Sequence, residues 1–283
     1  MAHRFLPYML YSLAGLLYAC TAGKDSPDDY LTRAREMVRA EQYQMAKMYL
    51  DSIRILFPDD LTKIKEGMKV MREVDFAEQQ RTLAFCDSVL KQRQTELPMV
   101  SKNFVFEKNA EYERLGHYFY KTQKYEDNFG RTFLQSKVDE KGRLVITSYY
   151  SGSTPINHTR FTAYNPQRLF AQTQPVAKDG AMNYSFEDDG TTYEIVRYNY
   201  RTENGVVNFM LEHLNEPISI ELNGIRNHQY SLAQRDKEAL KAAVDLSVVL
   251  SDINRLLDEM RLAQAKIEYI LSRKDHPVEE PNN

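Results

Sequence analysis

From Leu246 to Leu271 an apolar side chain returns at steps of four and three: Leu246, Leu250, Ile253, Leu257, Met260, Gln264, Ile267 and Leu271, with Gln264 the one polar member. The spacing follows a heptad for about three and a half repeats, which dictates a long helix with a narrow apolar seam. Such a helix depends on tertiary packing of that face, so the seam needs a partner. A second long run, residues 61–97, is rich in Gln, Glu, Lys and Arg and free of Pro until Leu97-Pro98 ends it. Its Leu61, Ile64, Met68 and Met71 keep the same steps, and the phase slips before Leu83, Cys86 and Leu90. The segment between the two runs must leave and return. The economical arrangement is therefore an antiparallel, coiled-coil-like stalk in which Ile253, Leu257 and Met260 contact the first helix of the same chain.

The intervening residues, 101–232, change period from helical to two. Phe104-Val105-Phe106, His117-Tyr118-Phe119-Tyr120, Thr132-Phe133-Leu134-Gln135 and Ile218-Ser219-Ile220-Glu221-Leu222 are built from β-formers. Hairpins are expected at Gly142, at Asp188-Asp189-Gly190 and at Glu203-Asn204-Gly205. About nine short strands joined this way imply an antiparallel sheet, sandwich or barrel. The predicted fold class is thus α+β: an N-terminal helical hairpin, two long helices packed as a stalk, and an antiparallel β domain inserted between them. Residues 233–273 form the long C-terminal helix. Residues 274–283, rich in Pro and Glu, are expected to be disordered.

The N-terminus carries a processing signal. Residues 1–4 hold one positive charge, Arg4, and an apolar stretch of about 13 residues follows. It is short for a bilayer span, which takes about 20 residues. The stretch ends in Leu17-Tyr18-Ala19-Cys20. This resembles the lipobox of bacterial lipoproteins, with Leu at -3, a small residue at -1 and then Cys; Tyr18 departs from the pattern at -2. The resemblance implies that residues 1–19 are removed and that the Cys20 thiol carries lipid. It places the protein in the bacterial cell envelope, held to a membrane, the outer membrane first, through an N-terminal lipid. Residues 20–29 are polar and contain Gly and Pro, as a tether would. Asp28 and Asp29 also suit a helix start, where the dipole favours acidic side chains.

Residues 30–60 then read as two helices ended by Phe57-Pro58. Aligned on Pro58, the segment resembles one tetratricopeptide unit: Tyr30 and Tyr43 fall on aromatic positions, and Ala34 and Ala46 on the small residues where helices cross. Glu41 stands where that family often has Gly, and Arg33 where it often has Leu. One unit is visible and a solenoid needs about three, so a superhelical peptide groove is not implied.

Composition narrows the functional classes. Formal net charge is -3, and -4 for a chain beginning at Cys20. Both signs are mixed along the sequence, which argues against nucleic-acid binding and recognition of anionic lipid heads. With Cys20 lipidated, Cys86 stands alone as a small apolar residue without a nearby His to activate it. His117, His158, His213, His228 and His276 include no pair at three- or four-residue spacing, so no metal is expected. His213 beside Glu212 falls on an expected strand, where neighbours face opposite sides. Asp188-Asp189-Gly190-Thr191 lacks the further acidic positions of a calcium loop and reads as a turn. No catalytic residue and no cofactor is expected. Twelve of the 19 tyrosines lie between Tyr112 and Tyr230. They serve either packing or a recognition face for a protein or glycan, and the absence of Trp counts against glycan stacking. The expectation is a non-catalytic interaction or scaffold module with an envelope protein partner. The alternatives are a ligand-binding lipoprotein using a Tyr-rich β face, or an enzyme of unrecognised type.

Overall fold

The computed structural model describes residues 25–111 and 113–275. The signal segment, Cys20, Tyr112, His276 and the acidic tail lie outside the described residues. Two compact units divide the chain, with the boundary between Glu78 and Gln79, inside one helix.

The first unit holds α1 (Pro27–Arg39), α2 (Tyr43–Leu56) and the beginning of α3 (Leu61–Ser101). Ser26 caps α1: its Oγ accepts the Asp29 N–H, and the Asp29 carboxylate accepts the Ser26 N–H at 2.7 Å. The last residues of the expected tether are therefore helical from Pro27 onward. The capping box satisfies donors that a tether would leave to water. Leu31 and Ala34 of α1, Ala46, Leu50 and Ile53 of α2, and Val70 and Val74 of α3 make this unit's core. Ala34 and Ala46 are both 0% exposed, and their small side chains allow close helix approach. Glu41 closes the turn between α1 and α2 with φ +57°, the left-handed region that favours Gly.

In the second unit the later part of α3 packs against α5 (Gln234–Asp275). Cys86, Leu90 and Leu256 are buried together, flanked by Val89, Ile253 and Met260. Arg93 reaches Asp252 at 2.8 Å and Cys86 lies near Glu259, so the two helices run antiparallel. The expected seam holds at Leu246, Leu250, Ile253, Met260 and Ile267 and departs from expectation at Leu257, Gln264 and Leu271. Leu256, Ala263 and Ile270 are buried, whereas Leu257 is 48% and Leu271 42% exposed, and Gln264 faces solvent. A straight helix drifts about 20° per heptad relative to a strict seven-residue repeat. With Leu at both 256 and 257, sequence spacing could not choose between the two. Pro98 does not end α3 either. The helix continues to Ser101, because Leu97 and Val100 pack beside Phe104, Leu246 and Leu250 and hold its last turn.

The β region forms two antiparallel sheets. The larger has the order β1 (Phe104–Glu107), β2 (His117–Tyr120), β3 (Phe133–Asp139), β4 (Leu144–Gly152), β8 (Thr191–Tyr198), β7 (Asn183–Asp188). The smaller has β10 (His228–Ser231), β9 (Ser219–Asn223), β5 (Arg160–Tyr164), β6 (Phe170–Gln172). Leu134, Ile146, Val196 and Tyr198 of the larger sheet meet Phe161, Ala163, Ile220 and Leu222 of the smaller, giving a sandwich core. The expected hairpins at Gly142 and Gly190 are present. Gly142 has φ +78°, and a Cβ there would lie 2.3 Å from Ser251 Oγ. Its carbonyl accepts hydrogen bonds from Ser247 and Ser251, which docks the β3–β4 turn on α5. The third expected hairpin is not formed. Gly205, at φ +80°, instead opens α4 (Val206–Glu212), whose Val206, Val207 and Met210 enter the sandwich core. A short apolar run after Gly serves strand or helix equally well, and here packing chose the helix.

Candidate functional site

The two faces of the larger sheet differ in chemistry. Alternation sends Glu194, Val196 and Tyr198 of β8 inward and Tyr193, Ile195 and Arg197 outward. On β3 the outward set is Phe133, Gln135 and Lys137. Register then assembles the outer face. Phe133 sits opposite Tyr149, Tyr149 opposite Ile195 and Ile195 opposite Tyr184, while Lys137 faces Phe119 and Thr147 faces Arg197.

A loop of two short 3-10 turns, Lys121–Gln123 and Glu126–Asn128, folds over this face. Its anchor is Gln123, which takes over where β2 stops pairing with β3. The Gln123 side chain donates to Leu134 O at 2.8 Å and accepts the Ser136 N–H at 2.9 Å, so the freed strand edge stays satisfied. Asp236, in the first turn of α5, accepts from Gln123 and from Arg131. Asn128 donates to the carbonyls of Thr122 and Lys124. So held, the loop places the Tyr125 ring 5.1 Å from Tyr149 and stacks Phe129 on Tyr193 at 4.7 Å. Phe133 stacks on the same Tyr149 ring at 4.8 Å.

Between loop and sheet lies a concavity of about 230 Å³. Tyr125, Tyr149, Tyr184 and Phe119 line it together with the charged Lys124, Lys137, Arg197, Glu107 and Glu126. Burial pushes the Tyr149 phenol well above its ordinary value, so it stays neutral, and its hydroxyl donates to Gln135 Oε1 at 3.2 Å. The Tyr125 hydroxyl is buried without a hydrogen-bond partner among the described residues. Burial, and after it the neighbouring Arg197 charge, lowers the Lys137 pKa below the usual lysine value. Such a perturbed group in a cleft marks a candidate site.

The inner face carries a second constellation, and it is closed. Ser148 Oγ lies 2.7 Å from His158 Nε2, and His158 Nδ1 lies 2.7 Å from Glu194 Oε2. Glu194 Oε1 accepts the N–H groups of Ile156 and Asn157, each at 2.7 Å, and Oε2 accepts that of His158 at 2.9 Å. Asn157 has φ +50°, which turns three successive N–H groups toward one carboxylate. Desolvation alone would raise the Glu194 pKa, but the His158 and backbone donors outweigh it and hold the group below its ordinary value. Nucleophile, imidazole and carboxylate stand in the order that acyl transfer uses. Yet Ser148 is 0% and His158 1% exposed, and the Tyr198 hydroxyl closes the far side at 3.4 Å. A small cavity of about 120 Å³ touches His158 and Glu194, not Ser148. The geometry makes a strut that ties the loop before β5 to the sheet.

The other residues singled out in the sequence are scattered. Tyr150, Tyr193 and Tyr198 are buried and Tyr200 is exposed. His213 caps the C-terminus of α4 and is not on a strand; its Nδ1 lies 3.3 Å from Glu216, and Glu212 belongs to the helix before it. Cys86 is buried, with its thiol pKa raised by burial and by Glu259. Asp189 and Gly190 form the β7–β8 turn, both with positive φ. No cluster of metal-ligating side chains occurs among the described residues. Sequence reading reached the tyrosines as a set but missed Lys137, Arg197 and the Ser148–His158–Glu194 network. No protein-family model, curated protein or solved structure matches the chain.

Proposed function

We propose that this chain is a bacterial envelope protein, anchored by lipid on Cys20 in the outer membrane, whose folded part is a non-catalytic binding module. The tyrosine-lined outer face of the larger sheet is its contact surface. The observation that carries the reading is the roofed concavity, lined by the Tyr125, Tyr149, Tyr184 and Phe119 rings together with Lys137 and Arg197. Binding sites are concave, mostly aromatic or apolar, and carry a few placed polar groups. The lipobox-like Leu17-Tyr18-Ala19-Cys20 supports the anchor. Among the described residues no helix is long and apolar enough to cross a membrane.

Two experiments test the two halves. Cys20→Ala should abolish labelled fatty-acid uptake and release the protein from membranes; an unlabelled wild type contradicts the anchor. A photo-crosslinking residue in place of Glu126, in the pocket lining, should give a discrete adduct in cells. The same residue in place of Val248, exposed on α5, should not. Equal or absent adducts at both positions contradict the contact surface.

A further inference from the structure

The pocket presents donors and cationic charge in excess of what the protein itself satisfies. Lys137 makes no ion pair among the described residues; its Nζ stands 5.9 Å from the centre of the Phe119 ring. Arg197 donates to the Ala181 carbonyl and to the Tyr184 hydroxyl, and among the described residues it too has no carboxylate at ion-pair distance. The Tyr125 hydroxyl, on a residue that lines the pocket, is buried without a hydrogen-bond partner among the described residues. Two carboxylates, Glu107 and Glu126, line the pocket, but neither pairs with Lys137 or Arg197. Glu107 pairs with Lys124, Glu126 is exposed, and Glu113 and Asp139 act on Lys137 only at longer range, with His117 beside them. Holding a half-buried ammonium unpaired next to a guanidinium costs stability. An anion entering the pocket would offset that cost.

Shape narrows the anion. The space is below the roughly 300–1,000 Å³ of pockets that enclose drug-sized ligands, so it admits one ring-sized group. Tyr149 is flanked by Phe133 and Tyr125. Phe119 and Tyr184 line the pocket with Lys137 and Arg197 over their rings at 5.9 and 5.2 Å, so aromatic C–H surface lies directly beside both cations, which suits an anion carried on a pyranose ring. A bare Asp or Glu side chain has no such ring and would leave that surface uncovered. We propose that this pocket binds the carboxylate-bearing ring of an acidic saccharide, with Lys137 and Arg197 receiving the carboxylate and the aromatic rings receiving the sugar face. The proposal rests on the reading of the outer face as the contact surface.

Calorimetric titration of the full chain in detergent tests it, with trigalacturonate, its neutral galactose counterpart, triglutamate and inorganic phosphate as probes. Trigalacturonate should bind at least tenfold more tightly than each of the other three. Lys137→Met should erase the preference over neutral sugar while keeping a melting temperature at or above that of the wild type. Tyr184→Ala should weaken both sugars alike. Equal binding of acidic and neutral sugars, tighter binding of triglutamate or phosphate, or no binding of any probe would overturn the proposal. In each of those cases a surviving crosslink from position 126 keeps the contact surface and discards the saccharide, whereas a lost crosslink discards both.

Discussion

Glu194 and Lys137 are charged side chains on strands of the same sheet, drawn from its central region and pointing to opposite faces. Glu194 is met by three backbone N–H groups and one imidazole nitrogen, all within 2.9 Å. Lys137 is met by an aromatic ring and a second cation. Both are taken from water, but in the first case the fold supplies every partner and in the second it withholds them. A charge that the fold satisfies is part of the architecture. A charge that the fold leaves unsatisfied, in a pocket open to solvent, is better explained by something that arrives from outside.

The difference predicts opposite signs on mutation. Glu194→Ala strands three backbone donors and His158, and should cost about 3–5 kcal/mol, read as a lowered denaturant midpoint. A cost under about 1 kcal/mol would remove Glu194 from the architecture. Along α5 the same logic separates two adjacent leucines. Leu256→Ala should cost about 2–5 kcal/mol because Leu256 is fully buried, whereas Leu257→Ala should stay within about 0.5 kcal/mol. Similar losses at both positions would restore the seam expected from spacing alone. Lys137→Met should be neutral or stabilising by about 1 kcal/mol, the usual direction when a residue kept for function is relieved. A clear loss of stability there would show that Lys137 has a structural partner.

The smallest effects are in pH dependence, and they too differ in sign. The Glu194 pKa is held below its usual 4.5, so its stabilisation is complete above about that pH and disappears as pH falls through the lower folded value. The Lys137 pKa is depressed below 10.5, so the folded state loses its proton first and the charge penalty fades as pH rises from the depressed value toward 10.5. Raised tyrosine values oppose this at high pH, so the lysine contribution is read as the difference between wild type and Lys137→Met. That difference should shrink across the alkaline window.

Much of the architecture was legible. The α5 repeat announced a long helix and an antiparallel partner, because spacing along a helix is a local property. Which of Leu256 and Leu257 is buried was not legible, since the two are equally apolar and packing alone chose between them. The run from Val206 to Leu211 showed no period that separates strand from helix. The site was less legible still. Ser148, His158 and Glu194 are separated by 10 and 36 residues and meet only because β4 pairs with β8. Lys137 and Arg197 look like ordinary outward residues of alternating strands. What sets them apart is the missing counter-charge, and that is a property of the assembled face. The tyrosines could be counted in sequence, but register decided which of them, Tyr125, Tyr149 and Tyr184, share one concavity.

The most direct test is the titration of Lys137 itself, followed by side-chain nitrogen NMR on the full chain with and without trigalacturonate. Lys137→Met identifies the signal. The free protein should show Lys137 losing its proton below the ordinary lysine value of 10.5, and the saccharide should move that midpoint upward as the carboxylate supplies the missing charge. A midpoint at the ordinary value in the free protein, unchanged by the saccharide, would contradict the claim that this face holds an unpaired charge for a ligand.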